Sequence, residues 1–219
     1  MDSSDNFKKR YRQSSVLAEK DTRERLLDAA TALFAEHGIS ATTVAKIAAR
    51  VGVTSAMVHY YFKNRDHLLD AIVEERIMRF HAHVWDLMAD SEDDPFTLVK
   101  GVVARIIEVA DLMPWLPSLW IREIVSEGGL LLEKMLQRVT NEQKNQQFCD
   151  CISKSQKQGV INPNIDPRLL FTSIIGLTML PLAAAKIWHR IPDLAGVSKD
   201  ELNRHVTALL MQGLVNPAA

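Results

Sequence analysis

The stretch Thr42–Arg65, TTVAKIAARVGVTSAMVHYYFKNR, decides the fold because it predicts two short helices joined by a tight turn. Thr43 can cap the first of these helices by accepting a hydrogen bond from a free backbone amide. Gly52 can adopt the left-handed conformation that ends the helix, and Thr54 can cap the second one. Two short helices after a supporting helix have the layout of a helix-turn-helix motif.

The second helix of this stretch has an inward and an outward side. Val58 and Phe62 are four residues apart, so they share one side and are expected in the core. The remaining positions carry Ser55, Ala56, Met57, His59 and Tyr60. Small side chains let a backbone approach base edges, and hydroxyls bind bases or phosphates. The pattern favours a DNA-reading helix over the alternative, a three-helix core with incidental tyrosines.

Charge is distributed unevenly along the 219 residues, although the net charge is only -1. Residues 1–65 hold 11 Lys/Arg against 7 Asp/Glu, or +4, and the remaining residues hold 15 against 20, or -5. This asymmetry predicts that only the first part of the chain meets a polyanion. The basic arm Phe7–Gln13, FKKRYRQ, is either a solvated tail or a segment that contacts the minor groove or phosphates.

Composition favours a soluble protein of the reducing cytoplasm. Cys149 and Cys151 are too few for a disulfide scaffold, and residues 1–20 are polar and lack the apolar core of a secretory signal. The uncharged run Leu169–Ala185 is near the short limit for a membrane span. A helix buried on several sides, partly by a second subunit, explains this run better than a membrane does.

Turn and breaker residues divide the chain into about nine helices without an alternating strand pattern, which predicts an all-α fold. We expect a flexible basic arm at residues 1–20, a helix-turn-helix domain at 21–66 and a ligand-binding and dimerisation domain at 67–219. The helices predicted for the last domain are Arg65–Ala89, Pro95–Asp111, Ser118–Ser126, Leu130–Gln158, Arg168–His189 and Lys199–Leu214.

The N-terminal part of the sequence resembles the tetracycline-repressor (TetR) family of transcriptional regulators. Matching positions between about residues 22 and 72 are Gly38, Thr42–Val44, Ile47–Ala48, Val51–Val53, Val58, Tyr61–Arg65 and Leu68–Leu69. The resemblance implies a homodimer that binds a palindromic operator in double-stranded DNA, usually repressing transcription until a small ligand binds the C-terminal domain. An activator, or a regulator without a ligand, is the alternative within the same fold.

The resemblance also implies which residues meet DNA. Base edges would be approached by Ser55, Ala56 and Met57, and phosphates by Thr43, Tyr60, Tyr61 and Lys63. The full set expected at DNA is Thr42, Thr43, Thr54, Ser55, Ala56, Met57, His59, Tyr60, Tyr61, Lys63 and Arg65. His59 stands where the family commonly has tyrosine, which would allow a pH-sensitive phosphate contact.

The C-terminal half offers candidates for a ligand pocket and a dimer interface. Large apolar side chains usually pack in a core, but as a set they are candidates for lining a pocket. With one carboxylate, the pocket candidates are Trp85, Met88, Ile107, Met113, Trp115, Trp120, Glu123, Phe148 and Met179. Within the long apolar run, Ile174, Leu177 and Leu182 are candidates for contact with a second subunit. Glu123 and Glu127 share a helix face. The alternatives for these carboxylates are exposure to solvent, an ion pair, a contact at the dimer interface, or the orientation of a polar ligand group.

Metal and enzyme chemistry are not expected. The pairs His81/His83 and Cys149/Cys151 diverge by about 200° on a helix, so neither is a natural chelate, although a redox role for the cysteines stays open. The sequence lacks a phosphate-binding glycine loop, a nucleophile elbow and a helical H-E-x-x-H motif, and we expect no cofactor. The competing class is an all-α enzyme that converts its ligand, which turnover of the ligand would reveal.

Overall fold

The computed structural model describes residues 21–86, 94–126, 129–139 and 143–217. The chain divides into two compact units, an N-terminal unit up to Glu74 and a C-terminal unit from Glu75 onward. The described residues are mainly helical, and the strand-like pairing found among them is one isolated bridge between Ile161 and Val215. The predicted all-α fold is confirmed. The basic arm, Met88 and Glu127 lie outside the described residues.

The N-terminal unit contains a three-helix arrangement followed by the start of a fourth helix. Helix α1 is helical over residues 21–37, and the next elements are α2 (Val44–Val51), α3 (Ser55–Phe62) and α4 (Arg65–Ile72). Their apolar sides meet in a small core formed by Leu26, Leu27, Ala30, Leu33, Phe34, Ile39, Ile47, Ala48, Val58, Phe62, Leu68, Leu69 and Ile72. The inward positions predicted for α3, Val58 and Phe62, are therefore buried as expected, and the helix-turn-helix layout is confirmed.

Cap chemistry explains the bounds of α2, and it differs at α3. The Thr43 hydroxyl oxygen accepts a hydrogen bond from the backbone N–H of Lys46 at 3.2 Å, and Gly52 ends α2 with a φ of 79°. Thr54 occupies the N-cap position of α3, but its side chain forms no capping hydrogen bond. The predicted capping bond of Thr54 is wrong, because the position of a cap is set by the backbone and the hydroxyl rotates separately.

The turn from α3 to α4 is built by two residues. Lys63 has φ 57° and ψ -57°, and among the described residues it is the non-glycine residue with a positive φ. Asn64 then caps α4, since its side-chain oxygen accepts from the backbone N–H of His67 at 2.9 Å. The chain therefore leaves α3 through a residue in an unfavourable backbone conformation, and α4 begins immediately afterwards with a capped first turn.

Helical geometry continues after α4 through a π-helical segment, Val73–Ile77, into α5 (Met78–Trp85). The C-terminal unit then contains α6 (Pro95–Leu112), α7 (Leu116–Trp120), a second π-helical segment (Ile121–Val125), α8 (Leu132–Val139), α9 (Lys144–Lys157), α10 (Pro167–Trp188), a 3-10 turn (Pro192–Leu194) and α11 (Lys199–Leu214). Asp94 caps α6 by accepting from the Phe96 N–H, and Ser198 forms a capping box with Glu201 at the start of α11.

The single helix predicted over Leu130–Gln158 is wrong. Helix α8 ends at Val139, and Gln143 lies in a turn before α9 begins at Lys144. Eight polar residues separate Val139 from the next apolar residue, Phe148. Since most helical stability in proteins comes from packing an apolar face, a polar stretch of this length gives a continuous helix little support.

Helix α6 is the centre of the C-terminal unit, where it packs against α5, α9, α10 and α11. Its buried apolar side chains include Leu98, Val99, Val102, Val103, Ile106 and Ile107. Among the described helices, α10 is long and apolar enough to cross a membrane by length and composition alone. It also packs against α6, α7, α9 and α11 and buries Leu170, Ile174, Thr178 and Met179.

Candidate nucleic-acid interface

The outer sides of α2 and α3 form one surface, which we call the α2–α3 face. Its exposed residues are Thr43, Lys46, Thr54, Ser55, Ala56, His59, Tyr60 and Lys63. The small side chains stand at the start of α3 and the larger polar ones at its end, while Met57 is half-buried between them. A helix with small residues at its leading end can bring its backbone close to base edges in a major groove.

The α2–α3 face is electropositive for two reasons. The face includes the exposed Lys46 and Lys63, and residues 37–65 contain no Asp or Glu. The first turns of α2 and α3 also lack acidic residues, so the partial positive charge of each helix N-terminus is not neutralised from within the helix. The positive charge predicted for the N-terminal part of the chain is therefore present on this face, where it attracts phosphates.

Two threonines on this face have hydroxyls that can donate outward. The Thr54 side chain makes no capping bond, and the Thr43 oxygen accepts its capping bond while keeping its own proton. Phosphate oxygens accept hydrogen bonds only, so both hydroxyls suit them. Tyr60 is 68% exposed and projects from the end of α3, which places its phenol in reach of a ligand outside the unit.

Three residues expected at DNA do not present their polar atoms on this face. Thr42 is 1% exposed, and its hydroxyl donates to the Gly38 carbonyl at 2.8 Å. Arg65 is half-buried, and its Nη2 donates to the Ile39 carbonyl. Tyr61 is half-buried against Tyr60, with ring centroids 5.1 Å apart and a buried hydroxyl oxygen. We correct all three assignments, because these groups stabilise turns and packing within the unit.

His59 is exposed, and its ring is held by the end of its own helix. The Nδ1 atom lies 3.1 Å from the Lys63 carbonyl oxygen, and the Lys63 backbone N–H donates to the His59 carbonyl at 2.8 Å. His59 and Lys63 are therefore joined by two contacts, one through the His59 ring and one between backbone atoms. This fixes the ring at the edge of the α2–α3 face.

Lys46 is a candidate contact that sequence reasoning missed. It is exposed in the first turn of α2 beside Thr43, and its ammonium group donates to the Ala41 carbonyl at 3.0 Å. A lysine near a helix N-terminus is unfavourable unless an anion is nearby. A basic residue in a first turn that has no acidic residue was the signal that could have identified it.

Comparison with known proteins agrees with this geometry. Residues 26–72, which cover most of α1 and all of α2, α3 and α4, match the family model of bacterial regulatory proteins, tetR family. These residues form a TetR-type DNA-binding domain. The chain is accordingly a DNA-binding transcriptional regulator, and the α2–α3 face is part of this domain.

Several TetR-family proteins resemble the chain over a longer stretch. AcrR of Shigella flexneri is 27% identical over 89 residues, which is 41% of each protein. KstR2 of Mycobacterium tuberculosis is 23% identical over 168 residues, which are 77% of this chain and 81% of KstR2. The structure of KstR2 aligns with a TM-score of 0.68 over 89% of this chain and 95% of that protein. The structure of AibR with isovaleryl coenzyme A and operator DNA aligns with a TM-score of 0.68 at 18% identity, over 86% of this chain and 97% of AibR. These likenesses show that the fold is shared along most of the chain.

The pocket residues predicted for the C-terminal unit fall into two groups. Trp85, Ile107, Phe148 and Met179 are buried within the main apolar core, where the Trp85 ring lies 5.8 Å from that of Phe148. The second group is half-buried at the margin of the same core and consists of Met113, Trp115 and Trp120. The first group has the surroundings of core packing, whereas the second has surface to offer a ligand.

Glu123 is the charged member of the predicted pocket set, and it is only 7% exposed. It lies in the π-helical segment Ile121–Val125, and its Oε2 is 3.5 Å from the backbone N of Leu130. A buried carboxylate is costly unless its surroundings compensate it, and π-helical segments are often found at functional sites. Glu123 is therefore the most informative polar residue for a ligand site in this unit.

Helix α10 exposes an apolar and small-residue surface on one side, which we call the α10 stripe: Leu169, Ser173, Gly176, Leu180 and Ile187. Successive members are four, three, four and seven residues apart, so they follow one side of a helix. The predicted interface residues lie elsewhere: Ile174 is fully buried inside the unit, and Leu177 and Leu182 pack against its core. Ile174 is corrected to a core residue, because it has no surface for a partner.

The cysteines, histidines and acidic residues are not grouped as a metal site in the described part of the chain. No group of three or more His, Cys, Asp or Glu is placed there to hold a metal ion. Cys149 and Cys151 form no disulfide. Burial, together with the neighbouring charge of Asp150, raises the pKa of the Cys149 thiol, which lowers its reactive thiolate fraction near neutral pH.

Proposed function

We propose that the chain is a cytoplasmic, homodimeric repressor of transcription that binds a palindromic operator and releases it when a small molecule occupies the C-terminal unit. The observation that supports operator binding most directly is the α2–α3 face, a cationic, acid-free surface led by small side chains. Ser55 and Ala56 would approach base edges. Thr43, Lys46, Tyr60 and Lys63 would bind phosphates and so set the register of the helix on DNA.

The α10 stripe supports the dimer. An exposed apolar surface with small residues between leucines suits close packing against a second helix, and Gly176 has open space where a side chain would stand. Leu209 on α11 is also 51% exposed and could extend the same interface. In a two-fold dimer, the two α3 helices would address half-sites about 34–36 Å apart, one turn of DNA.

The margin of the C-terminal core supports a ligand site. Trp115, Trp120 and Met113 offer apolar surface, and Glu123 offers a buried carboxylate for a polar or cationic group of the ligand. Among relatives, KstR2 is named a transcriptional repressor, and AibR has been solved with isovaleryl coenzyme A and operator DNA. We propose for this chain a mainly apolar effector with one polar group.

Transmission from effector to DNA would use the helical segment between the two units. This segment runs from Arg65 through the π-helical residues Val73–Ile77 to Trp85, and the division between the units falls within it. A change in its conformation on ligand binding would alter the separation of the two α3 helices in the dimer. Operator affinity that stays constant at saturating effector would contradict this route.

Selection of bound DNA from a random pool tests the proposed function. We expect a two-fold symmetric consensus, because each α3 helix of a homodimer reads the same bases. The matched variant is Ala56→Arg, which places a large cation where base edges would approach α3. It should change or abolish the consensus while leaving the fold intact. A pool without enrichment by the unmodified protein would contradict operator binding.

A thermal-shift screen of small molecules tests the effector site. A bound effector should raise the midpoint of unfolding by mass action, and Trp120→Ala and Glu123→Gln should reduce that shift. Phe96→Ala is the control, because this side chain lies in the first turn of α6 and packs against the same core. This variant should keep the effector-induced shift. Recovery of the effector chemically unchanged is expected for a regulator, whereas its conversion would favour an enzyme.

A further inference from the structure

His59 is held in one tautomer by its own helix. Its Nδ1 lies 3.1 Å from the Lys63 carbonyl oxygen. A carbonyl oxygen can only accept a hydrogen bond, so Nδ1 carries the proton and donates it. In the neutral ring the other nitrogen, Nε2, is consequently an acceptor without a proton.

This tautomer determines what the exposed ring can bind. Phosphate oxygens are also acceptors only, so a neutral His59 has no hydrogen to offer a phosphate through Nε2. When the ring takes up a proton, Nε2 becomes a donor with a positive charge, and a charge-assisted bond to phosphate forms. The tyrosine common at this position in the family would donate at any physiological pH, whereas His59 donates only when protonated.

The helices around α3 carry charged groups of both signs, since Glu24 and Glu36 on α1 pair with Arg23 and Arg50. Helix α1 places Arg23 over the Phe62 ring at 5.2 Å, α2 and α4 pack against α3, and Tyr60 and Lys63 flank His59 on its own helix. The titratable groups on α2 and on the first turn of α4 are Lys46, Arg50, Arg65, Asp66 and His67. Among the described residues, the hydrogen bond recorded for the His59 ring is that to Lys63. Because this ring contact is a neutral carbonyl, a DNA phosphate would supply the anion that a charged imidazole needs.

We propose that His59 is a proton-dependent phosphate-binding residue, so that DNA binding takes up one proton per subunit from solvent onto Nε2. The inference rests on the proposed operator binding through the α2–α3 face. DNA affinity should therefore rise as pH falls.

The test compares the unmodified protein with His59→Gln, His59→Tyr and the matched control His67→Gln, which removes another exposed histidine from the same unit. The DNA is a duplex that carries the selected consensus. Sonicated genomic duplex DNA at low salt is the second ligand, because phosphate contacts do not depend on sequence. Affinity is measured at several pH values between about 6 and about 8.5. Proton uptake is measured by calorimetry in phosphate and in Tris, whose ionisation heats differ.

We expect the affinity of the unmodified protein and of His67→Gln to weaken with rising pH, by up to about tenfold per pH unit for each proton taken up. The His59→Gln and His59→Tyr proteins should lose this component, because an amide or a phenol donates without titrating. Equal pH slopes and equal proton uptake in the unmodified protein and both His59 variants would overturn the proposal. If the unmodified protein binds neither DNA, operator binding itself is wrong.

A measurement without DNA tests the tautomer directly. In the free protein at high pH, ¹⁵N NMR of the His59 ring should report a proton on Nδ1. A proton on Nε2 instead would overturn the proposal whatever the DNA experiments give. This readout also covers the case in which one of the His59 variants fails to fold.

Discussion

Lys63 serves two separate roles at the end of α3. Its backbone turns the chain with φ 57°, which is unfavourable for a residue with a Cβ, while its side chain is exposed on the α2–α3 face. Glycine would adopt this backbone conformation at a lower energetic cost, but it would remove the ammonium group. The presence of lysine at a position that favours glycine is consistent with a need for charge there.

We expect Lys63→Gly to have a larger free energy of unfolding than Lys63→Ala, by about 1 kcal/mol, because glycine tolerates the positive φ. Both variants lose the ammonium group, so both should bind operator several-fold more weakly and to a similar degree. Denaturant unfolding and DNA titration of the two variants measure these effects. Equal stabilities would show that the turn is not strained.

Thr42 tests the distinction between a buried hydroxyl and a DNA contact. Thr42→Val keeps the side-chain shape but removes the bond to the Gly38 carbonyl, so the free energy of unfolding should fall by about 1–2 kcal/mol. Thr42→Ser keeps the hydroxyl and should lose less. Operator affinity, measured where both variants are folded, should match that of the unmodified protein. A selective loss of affinity in Thr42→Val would restore Thr42 to the DNA contacts.

At the scale of elements, α2 and α3 begin with the same residue type but use it differently. Thr43→Ala removes a capping bond to the Lys46 N–H and should lower the free energy of unfolding by about 1 kcal/mol. Thr54→Ala removes no capping bond, so its effect on unfolding should be less than half as large. Both variants should weaken operator binding. The same loss of stability in both would contradict the difference between the two caps.

The start of α10 has a pH-dependent cap. Hydrogen bonds from the Arg168 side chain and then from its backbone N–H lower the pKa of the Asp166 carboxyl to about 2. The carboxylate therefore stabilises the folded state above the ordinary carboxyl range near pH 4, and this contribution is lost as pH falls towards about 2. An NMR titration should give this low midpoint. Arg168→Gln should move the midpoint upward, while Arg190→Gln, in the turn after α10, should leave it unchanged.

At the scale of the whole molecule, the proposed function depends on two copies of the chain. Leu180 is 55% exposed in the middle of the α10 stripe, so Leu180→Glu would place a carboxylate inside the proposed interface. We expect a shift from dimer to monomer in sedimentation and a large loss of operator affinity. Gln147→Glu adds the same charge to an exposed position on α9 and should change neither measurement. A Leu180→Glu protein that remains dimeric would place the interface elsewhere.

The sequence determined those features that depend on neighbours a few residues apart. The Thr43 cap, the Gly52 stop and the inward side of α3 follow from hydrogen bonds and spacings within about one helical turn. The bounds of α11, Lys199–Leu214, agree with their sequence prediction for the same reason, because a capping box fixes the start. The TetR resemblance, carried by such local positions, was confirmed.

Only the tertiary structure decided which side chains remain accessible after packing. Thr42 and Thr43 are adjacent and chemically identical, yet Thr42 is buried against the turn that follows α1, and Thr43 is exposed. Ile174 and Leu180 are both apolar residues of α10, yet Ile174 lies in the core and Leu180 on the surface. Burial depends on contacts between elements far apart in sequence, whereas caps and turns depend on adjacent residues. For this reason the sequence predicted the helices and the family, and the tertiary structure showed which atoms DNA or a second subunit can reach.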